Sequence, residues 1–534
     1  MVAKDLELTK FDEETVKKMQ KGYWLTGFGT GPDTVMLALW SIGMISIASS
    51  DSTCSAYSSY SSGADGSLCT TDAAWNETLW QDSGGVACVQ GMAFGGEKYV
   101  HNPAKAGCGA ALVAYRAATQ YTCNCTGDHS YTSLGWRPYN VVIFSLTIIS
   151  IILAVGGIIL GAILDYSSKR LSVWKTLYVL GCVSTLGMAA TFSGIWPIAL
   201  IFHVLTHTFT ELVVIPRSSY IKFVAHDNAT RQSISGMRQY MSFISQTLFL
   251  VLCLPLSIIF DATPNVGACI IALLCAVWYG IFMWPAFLKL QPVGPSRAVE
   301  TGSVLSNAMS DIITEIPVMF KKYPEAVKFL LLTTFANIGG PATILSVNTP
   351  YGLTMGLSGF QLNILILIVL VLGIGFARLY ACLFKTQRLK SLKRTWMLVL
   401  LCFLLIGSLV PLLVTPTAPF IQRLIFIYLL AGLFAAIGLT WYYSIGWPTF
   451  VTMVPASKVQ LYSAYLMAVG IGTSWIGSTT YAAIVQATND HQMAWASMVG
   501  YNLIAWVLLL TIDFEKGARD AGHNTDVVSD AVDA

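Results

Sequence analysis

The chain has 534 residues, of which 55% are hydrophobic and only 11% are charged, and its 31 basic and 28 acidic side chains leave a formal net charge of +3. A soluble protein carries about 25% charged residues, so this composition excludes an ordinary water-soluble domain and indicates a surface that faces lipid. The net charge argues for nothing by itself, but no strongly basic surface suggests nucleic-acid binding.

The chain is predicted to be an all-α polytopic membrane protein. A helix needs about 20 mostly apolar residues to cross a bilayer. Runs of this kind predict twelve transmembrane helices, at residues 32–50, 140–164, 173–195, 197–216, 238–260, 266–288, 327–347, 360–384, 395–414, 422–446, 460–486 and 493–513. The polar segment 1–31 does not have the pattern of a cleavable signal peptide. The first span is therefore expected to act as its own insertion signal.

Basic residues give these spans an orientation, because Lys and Arg mark the cytosolic side. They concentrate in the even-numbered connections, such as 385–394, and are absent from the short odd-numbered loops, such as 349–358. This asymmetry predicts that the N-terminal segment 1–31 and the tail 515–534 both lie in the cytosol.

The long first loop, residues 51–138, is predicted to be lumenal or extracellular. It is rich in Ser and Gly and holds half of the twelve cysteines, namely Cys54, Cys69, Cys88, Cys108, Cys123 and Cys125. In an oxidising compartment this predicts a disulfide framework, with fifteen possible pairings. A metal site at Cys123 and Cys125 is the alternative, but no second ligand pair accompanies it. Asn76 and Asn124 lie in glycosylation sequons.

The spans divide into two halves of six helices, residues 32–288 and 327–514, joined by a polar cytosolic linker at 289–326. Apolar residues recur at helical spacing in the linker, at Ile312, Ile313, Ile316 and Met319, which predicts an amphipathic helix at the membrane surface. Two six-helix halves with a cytosolic linker are typical of the major facilitator plan, in which the substrate site lies between the halves near mid-membrane.

The connection between spans 2 and 3 contains four residues of the major facilitator signature: Gly161, Asp165, Lys169 and Arg170. Tyr166 replaces a basic residue of that signature, and Ser168 replaces a glycine. The glycine allows a neighbouring helix to approach closely, and the aspartate can pair with a basic group or a helix N-terminus and close the cytosolic side. The alternative is an ordinary capped loop. The equivalent connection after span 8 has no acidic residue, so no symmetrical latch is expected.

Further stretches of the chain resemble the vacuolar effluxer-like family, the autophagy-linked branch of the major facilitator superfamily. They are "KGYWLTGFGTGPDTVML" at the entry to span 1, the stretch around Asn337 in span 7, and the passage through spans 10 and 11 that matches at Phe450, Pro455, Tyr462, Ser474, Trp475 and Gly477. The resemblance covers most of both halves but not loop 51–138. It implies a secondary transporter, with export of amino acids from vacuoles as the activity assigned to the family's best-described members.

Ionisable residues within membrane spans are rare and point to function. In span 4, His203, His207 and Glu211 recur at intervals of four, which places them on one side of a helix near mid-membrane. Histidine gains and loses a proton near neutral pH, so this set is predicted to couple proton binding to solute binding. The alternatives are that the histidines only pack, and that Glu211 pairs with Arg217 in a gate.

Four other residues are candidates for the substrate or proton pathway. Asp33 either caps the first span or faces the cavity. Asn337 precedes Gly339, Gly340 and Pro341, where span 7 is expected to break. Trp441 and Tyr442 in span 10 form either a substrate wall or ordinary packing.

The sequence contains no motif for ATP hydrolysis, metalloprotease or serine hydrolase chemistry, so neither an enzyme nor a bound cofactor or metal is predicted. The predicted function is secondary active transport of a small polar solute, with amino acids as first candidate, by alternating access and with coupling to protons. The alternative is a non-transporting receptor or structural subunit that binds a protein partner through loop 51–138. The predicted location is the vacuolar or lysosomal membrane, or the plasma membrane.

Overall fold

The structure is a computed structural model of the chain. It describes residues 11–32, 35–36, 53–54, 93–94, 97–98, 130–131, 138–193, 196–225, 228–259, 264–295, 303–354, 357, 359–383, 389–413, 419–455, 458–488 and 490–522.

Helices dominate the described residues. In chain order they are α1 (Glu13–Thr30), α2 (Pro138–Asp165), α3 (Arg170–Gly187), α4 (Trp196–Leu212), α5 (Val214–Val224), α6 (Asn228–Ile259), α7 (Pro264–Lys289), α8 (Val304–Lys322), α9 (Pro324–Ile338), α10 (Pro341–Thr354), α11 (Gly359–Leu383), α12 (Leu389–Leu413), α13 (Phe420–Ile425), α14 (Gly432–Thr452), α15 (Val459–Gly470), α16 (Trp475–Thr488), α17 (His491–Thr511) and α18 (Phe514–Asp520). A 3₁₀ turn at Met188–Ser193 follows α3, and a π-helical segment at Phe426–Ala431 joins α13 to α14.

Loop 51–138 contributes four two-residue strands to the described part of the chain: β1 (Thr53–Cys54), β2 (Ala93–Phe94), β3 (Glu97–Lys98) and β4 (Ser130–Tyr131). β1 pairs with β4 and β2 with β3, both antiparallel. Of the six predicted disulfide cysteines, only Cys54 falls on a described residue. The other five cysteines and both predicted glycosylation sites, Asn76 and Asn124, lie outside the described residues.

Within the described ranges, ten helices are long and apolar enough to cross a membrane. The sequence predicts twelve. The first predicted span, 32–50, lies mostly outside the described residues. The eleventh, 460–486, is one apolar run in sequence but two helices in the structure, α15 and α16, separated at Ile471–Ser474. Neither piece alone is long enough to cross a bilayer.

The seventh span is also divided, at the place where the sequence predicts a break. α9 ends at Ile338 and α10 begins at Pro341, with Gly339 and Gly340 between them. A Cβ on Gly339 would lie 2.9 Å from the carbonyl oxygen of Met498 in α17, so only glycine permits this approach. The Asn502 side chain of α17 binds the Gly339 carbonyl oxygen. The break in span 7 is therefore held by the last membrane helix.

Each half has its own aromatic core. In the first half, the Trp174 ring packs against Tyr220 and Phe287, with centroids 5.5 and 5.7 Å apart. In the second, Phe329 packs against Trp396 and Phe450, with centroids 5.4 and 6.2 Å apart. The two aromatic groups belong to different apolar clusters, and each cluster also takes in buried residues of the other half, Ala162 in one and Leu370 and Ala377 in the other.

The halves meet mainly at three helix pairs. α2 packs against α15, and α6 packs against α11 and α14. A third apolar cluster lies between the halves and joins Leu153 of α2 and Ile215 of α5 to Met467 of α15. The linker helix α8 contacts α2 and α9, and we call the end of the bundle that it covers the linker end.

The N-terminal helix α1 begins at a capping residue near this end. The Asp12 carboxylate accepts from the Thr15 backbone N–H at 2.7 Å and from the Thr15 hydroxyl at 3.0 Å. These two bonds lower the pKa of Asp12, because they stabilise the charged carboxylate.

Candidate functional site

The signature residues Gly161 and Asp165 lie on α2 where it meets α15. A Cβ on Gly161 would lie 2.5 Å from the Cβ of Ala464 and 3.0 Å from the carbonyl oxygen of Gln460. Any larger residue would force the two halves apart, because both obstacles are on or next to the backbone of α15. Gly161 therefore sets the spacing between the halves.

Asp165 caps the N-terminus of α15 across this contact. Its Oδ2 accepts from the backbone N–H of Leu461 at 3.0 Å, and the side chain is 2% exposed. The first N–H groups of a helix have no partner within the helix and attract negative charge. The aspartate of the first half thus binds the end of a helix in the second half.

Arg170, at the start of α3, also takes part in this contact between α2 and α15. It is fully buried, its Nε donates to the Leu164 carbonyl oxygen at 3.0 Å, and it interacts electrostatically with Asp165. In the amide orientation that satisfies both side chains, Gln460 of α15 accepts from the Arg170 guanidinium at 3.2 Å. Lys169, in contrast, is exposed, so the structure brings three of the four signature residues to the contact between the halves.

The linker helix α8 binds both halves at the same end. Tyr166 of the first half donates to Asp311 Oδ2 at 2.6 Å. From the second half, Lys458 forms an ion pair with Glu315, and the Tyr462 hydroxyl donates to Glu315 Oε2 at 3.1 Å. Tyr166 departs from the signature, and its partner on α8 gives that departure a structural reason.

A second face of α8 carries exposed apolar side chains, namely Leu305, Met309, Ile313, Ile316 and Phe320. On a helix of 3.6 residues per turn, this face adjoins the face that bears Ile312, Glu315 and Met319. α8 is therefore amphipathic, as the sequence predicts.

His203 and His207 lie together on α4. Their rings are 4.8 Å apart in an edge-to-face arrangement, His203 is fully buried, and His207 is 9% exposed. His207 Nε2 is buried without a hydrogen-bond partner among the described residues. The static structure thus places both imidazoles inside the protein rather than on an open wall of the cavity, and their role in proton coupling stays a prediction.

Glu211, one turn further along α4, is half-buried and belongs to a charged group that the sequence only partly reveals. It interacts electrostatically with Arg217 of α5 and with Arg238 of α6. We call Glu211, Arg217 and Arg238 the central charge cluster. Across the boundary between the halves, Glu211 also interacts with Tyr443 of α14, whose side chain is 43% exposed.

The remaining predicted pathway residues bind neighbouring backbone. Asn337 is buried and its amide donates to the Gly470 carbonyl oxygen at 2.8 Å, next to the break between α15 and α16. Trp441 Nε1 donates to the Phe376 carbonyl oxygen and the Tyr442 hydroxyl to that of Thr333, both at 3.3 Å. Asp33 lies outside the described residues.

Three functional candidates escaped sequence reasoning. Arg238 begins the predicted span 238–260, Tyr443 directly follows the candidates Trp441 and Tyr442, and Lys458 lies just before the predicted span 460–486. The signal for Arg238 was an arginine at the start of a run of otherwise apolar and neutral residues. Within the described part of the chain, no group of three His, Cys, Asp or Glu side chains is arranged to hold a metal ion.

Comparison with known proteins shows which family this chain resembles. The profile of the family described as "Vacuole effluxer Atg22 like" matches residues 110–522. The "uncharacterized MFS-type transporter YxiO" of Bacillus subtilis (strain 168) is 20% identical over 400 residues, which cover 72% of this chain and 87% of that protein.

Two solved structures share the fold. The major facilitator proton:xylose symporter XylE, bound to 6-bromo-6-deoxy-D-glucose, superposes with a TM-score of 0.60 at 13% identity, over 94% of this chain and 96% of its own. The human organic anion transporter MFSD10 superposes with a TM-score of 0.50 at 13% identity, over 92% of this chain and 99% of its own.

These likenesses confirm the predicted membership and the expectation of a transporter rather than an enzyme. The fold is that of the major facilitator transporters, and the protein is an integral membrane protein. The chain belongs to the Atg22-like vacuole effluxer family.

Proposed function

We propose that the protein carries a small polar solute across the vacuolar or lysosomal membrane by alternating access, with amino acids as the first candidates. The chain would cross the membrane twelve times, with the apolar run 32–50 as the first crossing and with α15 and α16 together forming the eleventh. Both termini and the linker end would face the cytosol. Loop 51–138 would face the lumen, with its six cysteines paired and Asn76 and Asn124 glycosylated.

The observation that carries the proposal is the arrangement of polar groups between the halves. Asp165 and α8 join the halves at the linker end, while Glu211 interacts electrostatically with Tyr443 of the opposite half. Such a molecule would be closed toward the cytosol, with its central polar groups reached from the opposite side. Rocking of the halves would expose the same groups to each side in turn.

Proton coupling would use the α4 residues. A solute that arrives near Glu211 would change the free energy of protonating that carboxylate and the neighbouring His207, because charges in a low-dielectric interior interact strongly. Release of the solute on the other side would then accompany release of the proton. The receptor alternative has no support from the comparisons, since the named relatives are transporters.

The test is solute flux into reconstituted vesicles across an imposed pH gradient, with a panel of amino acids, sugars and organic ions. We expect gradient-dependent flux that is lost in His207→Ala and in Glu211→Gln. His491→Ala and Glu14→Gln are matched controls, because His491 binds Tyr481 far along the chain from α4 and Glu14 is exposed near the N-terminus. Flux that survives both α4 substitutions would refute the proton pathway, and absence of flux for every solute would refute transport.

A further inference from the structure

Arg238 is a charged residue within a membrane-spanning helix, and it has no role in the proton pathway proposed above. It lies on α6, ten residues after the helix begins at Asn228, and inside the membrane-spanning stretch Thr230–Leu256. At 1.5 Å per residue this is about 15 Å from the start of the helix. Arginine within a membrane-spanning stretch is costly and is retained where it binds a partner or lines a pathway.

The stem of Arg238 is fixed by α1. A Cβ on Gly27 would overlap the Arg238 carbonyl oxygen and would lie 3.0 Å from the Arg238 Cγ. Two turns along α6, the hydroxyl of Ser245 donates to the Phe28 carbonyl oxygen at 2.5 Å, so α1 and α6 are held together. α1 therefore packs directly against the backbone and the Cγ of Arg238.

The guanidinium of Arg238 does not use all of its hydrogen-bond donors. Its Nε is buried and has no hydrogen-bond partner among the described residues. Two described charged groups act on it, the like charge of Arg217 and the opposite charge of Glu211. A buried cation without full compensation is unfavourable, and an added anion would relieve it.

The position of the cluster makes such an anion a solute. The hydroxyl of Ser235, about one turn before Arg238 on α6, donates to the Ser444 carbonyl oxygen of α14 in the opposite half at 3.2 Å, so Arg238 lies beside the boundary at which the halves separate during transport. A guanidinium presents a planar fork of donors that matches a carboxylate with two parallel hydrogen bonds. The geometry and the charge therefore both favour a carboxylate.

We propose that Arg238 is the anion-binding residue of the central site and that the site prefers small carboxylate-bearing solutes of net charge −1 over neutral solutes of the same shape. This inference rests on the proposed function, because it assumes that the solute occupies the boundary between the halves. Glu211 lowers the affinity of the site for the anion, since its own negative charge lies next to the guanidinium. Anionic amino acids are thus favoured over their amides.

The test is binding of L-glutamate, L-glutamine, L-aspartate and L-asparagine to the purified full-length protein, measured by calorimetry and by thermal stabilisation. Each acid and its amide differ by one charge at nearly constant shape. We expect the wild type to bind each acid at least about tenfold more tightly than its amide. Arg238→Gln should reduce this ratio to about one, and Arg238→Lys, which keeps the charge but loses the fork, should retain part of it.

Two further variants distinguish the proposal from a general loss of structure. Glu211→Gln should raise the affinity for L-glutamate several-fold while abolishing proton-driven flux, and a misfolded protein would not gain affinity. Arg231→Gln is the matched control on α6, because Arg231 binds the Ala225 carbonyl oxygen at the helix start, and it should keep the wild-type ratio.

Equal affinities for acid and amide in the wild type, or an unchanged ratio in Arg238→Gln, would overturn the proposal. Absence of binding by all four solutes would overturn it as well. Flux of a neutral solute in the vesicle assay, together with any of these results, would leave the transporter assignment standing while removing Arg238 as an anion site.

Discussion

The α2–α15 and α6–α11 contacts between the halves both depend on a glycine for close packing, but their polar interactions differ. At the α2–α15 contact, Gly161 allows close approach and the charged pair Asp165 and Arg170 holds the linker end. At the α6–α11 contact, Gly236 allows close approach, since its Cβ would lie 2.8 Å from a Tyr380 ring atom, and the Tyr380 hydroxyl donates to Gln232 Oε1 at 2.6 Å. One contact depends on buried charge and the other on a neutral hydrogen bond.

This difference indicates which contact controls the separation of the halves. Opening this contact takes the Asp165 carboxylate away from the Leu461 N–H of α15 and the Arg170 guanidinium away from Gln460, and a buried charge that loses a partner is costly. At the α6–α11 contact the loss is smaller. A phenol–amide hydrogen bond contributes only about 1 kcal/mol net. We therefore expect the α2–α15 contact to be the gate and the α6–α11 contact to be the hinge about which the halves turn, and the four predictions below test that division.

The largest effect is expected from Asp165→Asn. The substitution removes the charge that opposes the buried Arg170 and weakens the cap on α15, at a cost of about 3 kcal/mol, or more than a hundredfold in the opening equilibrium. Hydrogen exchange of the backbone amides at the start of α15 should accelerate accordingly. Asp490→Asn is the control, because Asp490 caps α17 at 2.8 and 2.9 Å within one half, and it should leave α15 unchanged. Equal effects of the two substitutions would contradict a gate at Asp165.

The next effect is expected from Gly161→Ala. The added methyl group meets Ala464 and the Gln460 carbonyl oxygen, and overpacking of this kind costs about 1–3 kcal/mol. Thermal unfolding of the purified protein should occur at a lower temperature, and exchange at the start of α15 should increase. Gly156→Ala on the same helix has no atom within 4 Å of the added Cβ, so it should be neutral or slightly stabilising. Destabilisation by both substitutions alike would point to helix propensity or lipid contact rather than to the gate.

A smaller effect is expected from Glu315→Gln. The amide keeps an acceptor for Tyr462 but loses the ion pair with Lys458, which is partly exposed and therefore screened, so the cost is about 1 kcal/mol. Amide exchange within α8 should rise about fivefold, and this increase should shrink at high salt, where the wild-type pair is already weakened. Thr314→Ala, whose hydroxyl bonds only within α8, serves as the control. No response of α8 would show that the helix is held by its apolar contacts alone.

The smallest effect is expected from Tyr380→Phe at the hinge. The loss of one neutral hydrogen bond to Gln232 costs about 0.5–1.5 kcal/mol and should raise amide exchange near Gly236 only a few-fold. The rate of solute flux should change less than in Asp165→Asn. A larger change in flux from Tyr380→Phe than from Asp165→Asn would reverse the assignment of gate and hinge.

Much of the gate could be predicted from the sequence, because its residues are close together in the chain. Gly161, Asp165 and Arg170 lie within ten positions, and their spacing indicates both a helix end and a partner on an adjoining helix. The break at Gly339 and Gly340 was predictable for a similar reason, since two glycines before a proline weaken a helix locally.

The partners of these residues were not predictable, because they are distant in sequence. Glu315 binds Lys458, and Glu211 faces Tyr443, and a single sequence carries no signal for such pairs. The break between α15 and α16 was missed because apolar composition identifies a span but does not report its continuity. Gly470 and Gly472, followed by Thr473 and Ser474, were the available signal.

The docking of α8 has a consequence for how fast the protein can work. A linker between two moving halves needs only sufficient length, yet α8 forms a hydrogen bond with Tyr166 of the first half, and an ion pair with Lys458 and a hydrogen bond with Tyr462 of the second. If the halves move apart at this end, these interactions must break and form again in each transport cycle, so the linker contributes to the free-energy barrier of the conformational change. Cellular factors that bind or modify α8 would thereby change the rate of transport without contacting the solute.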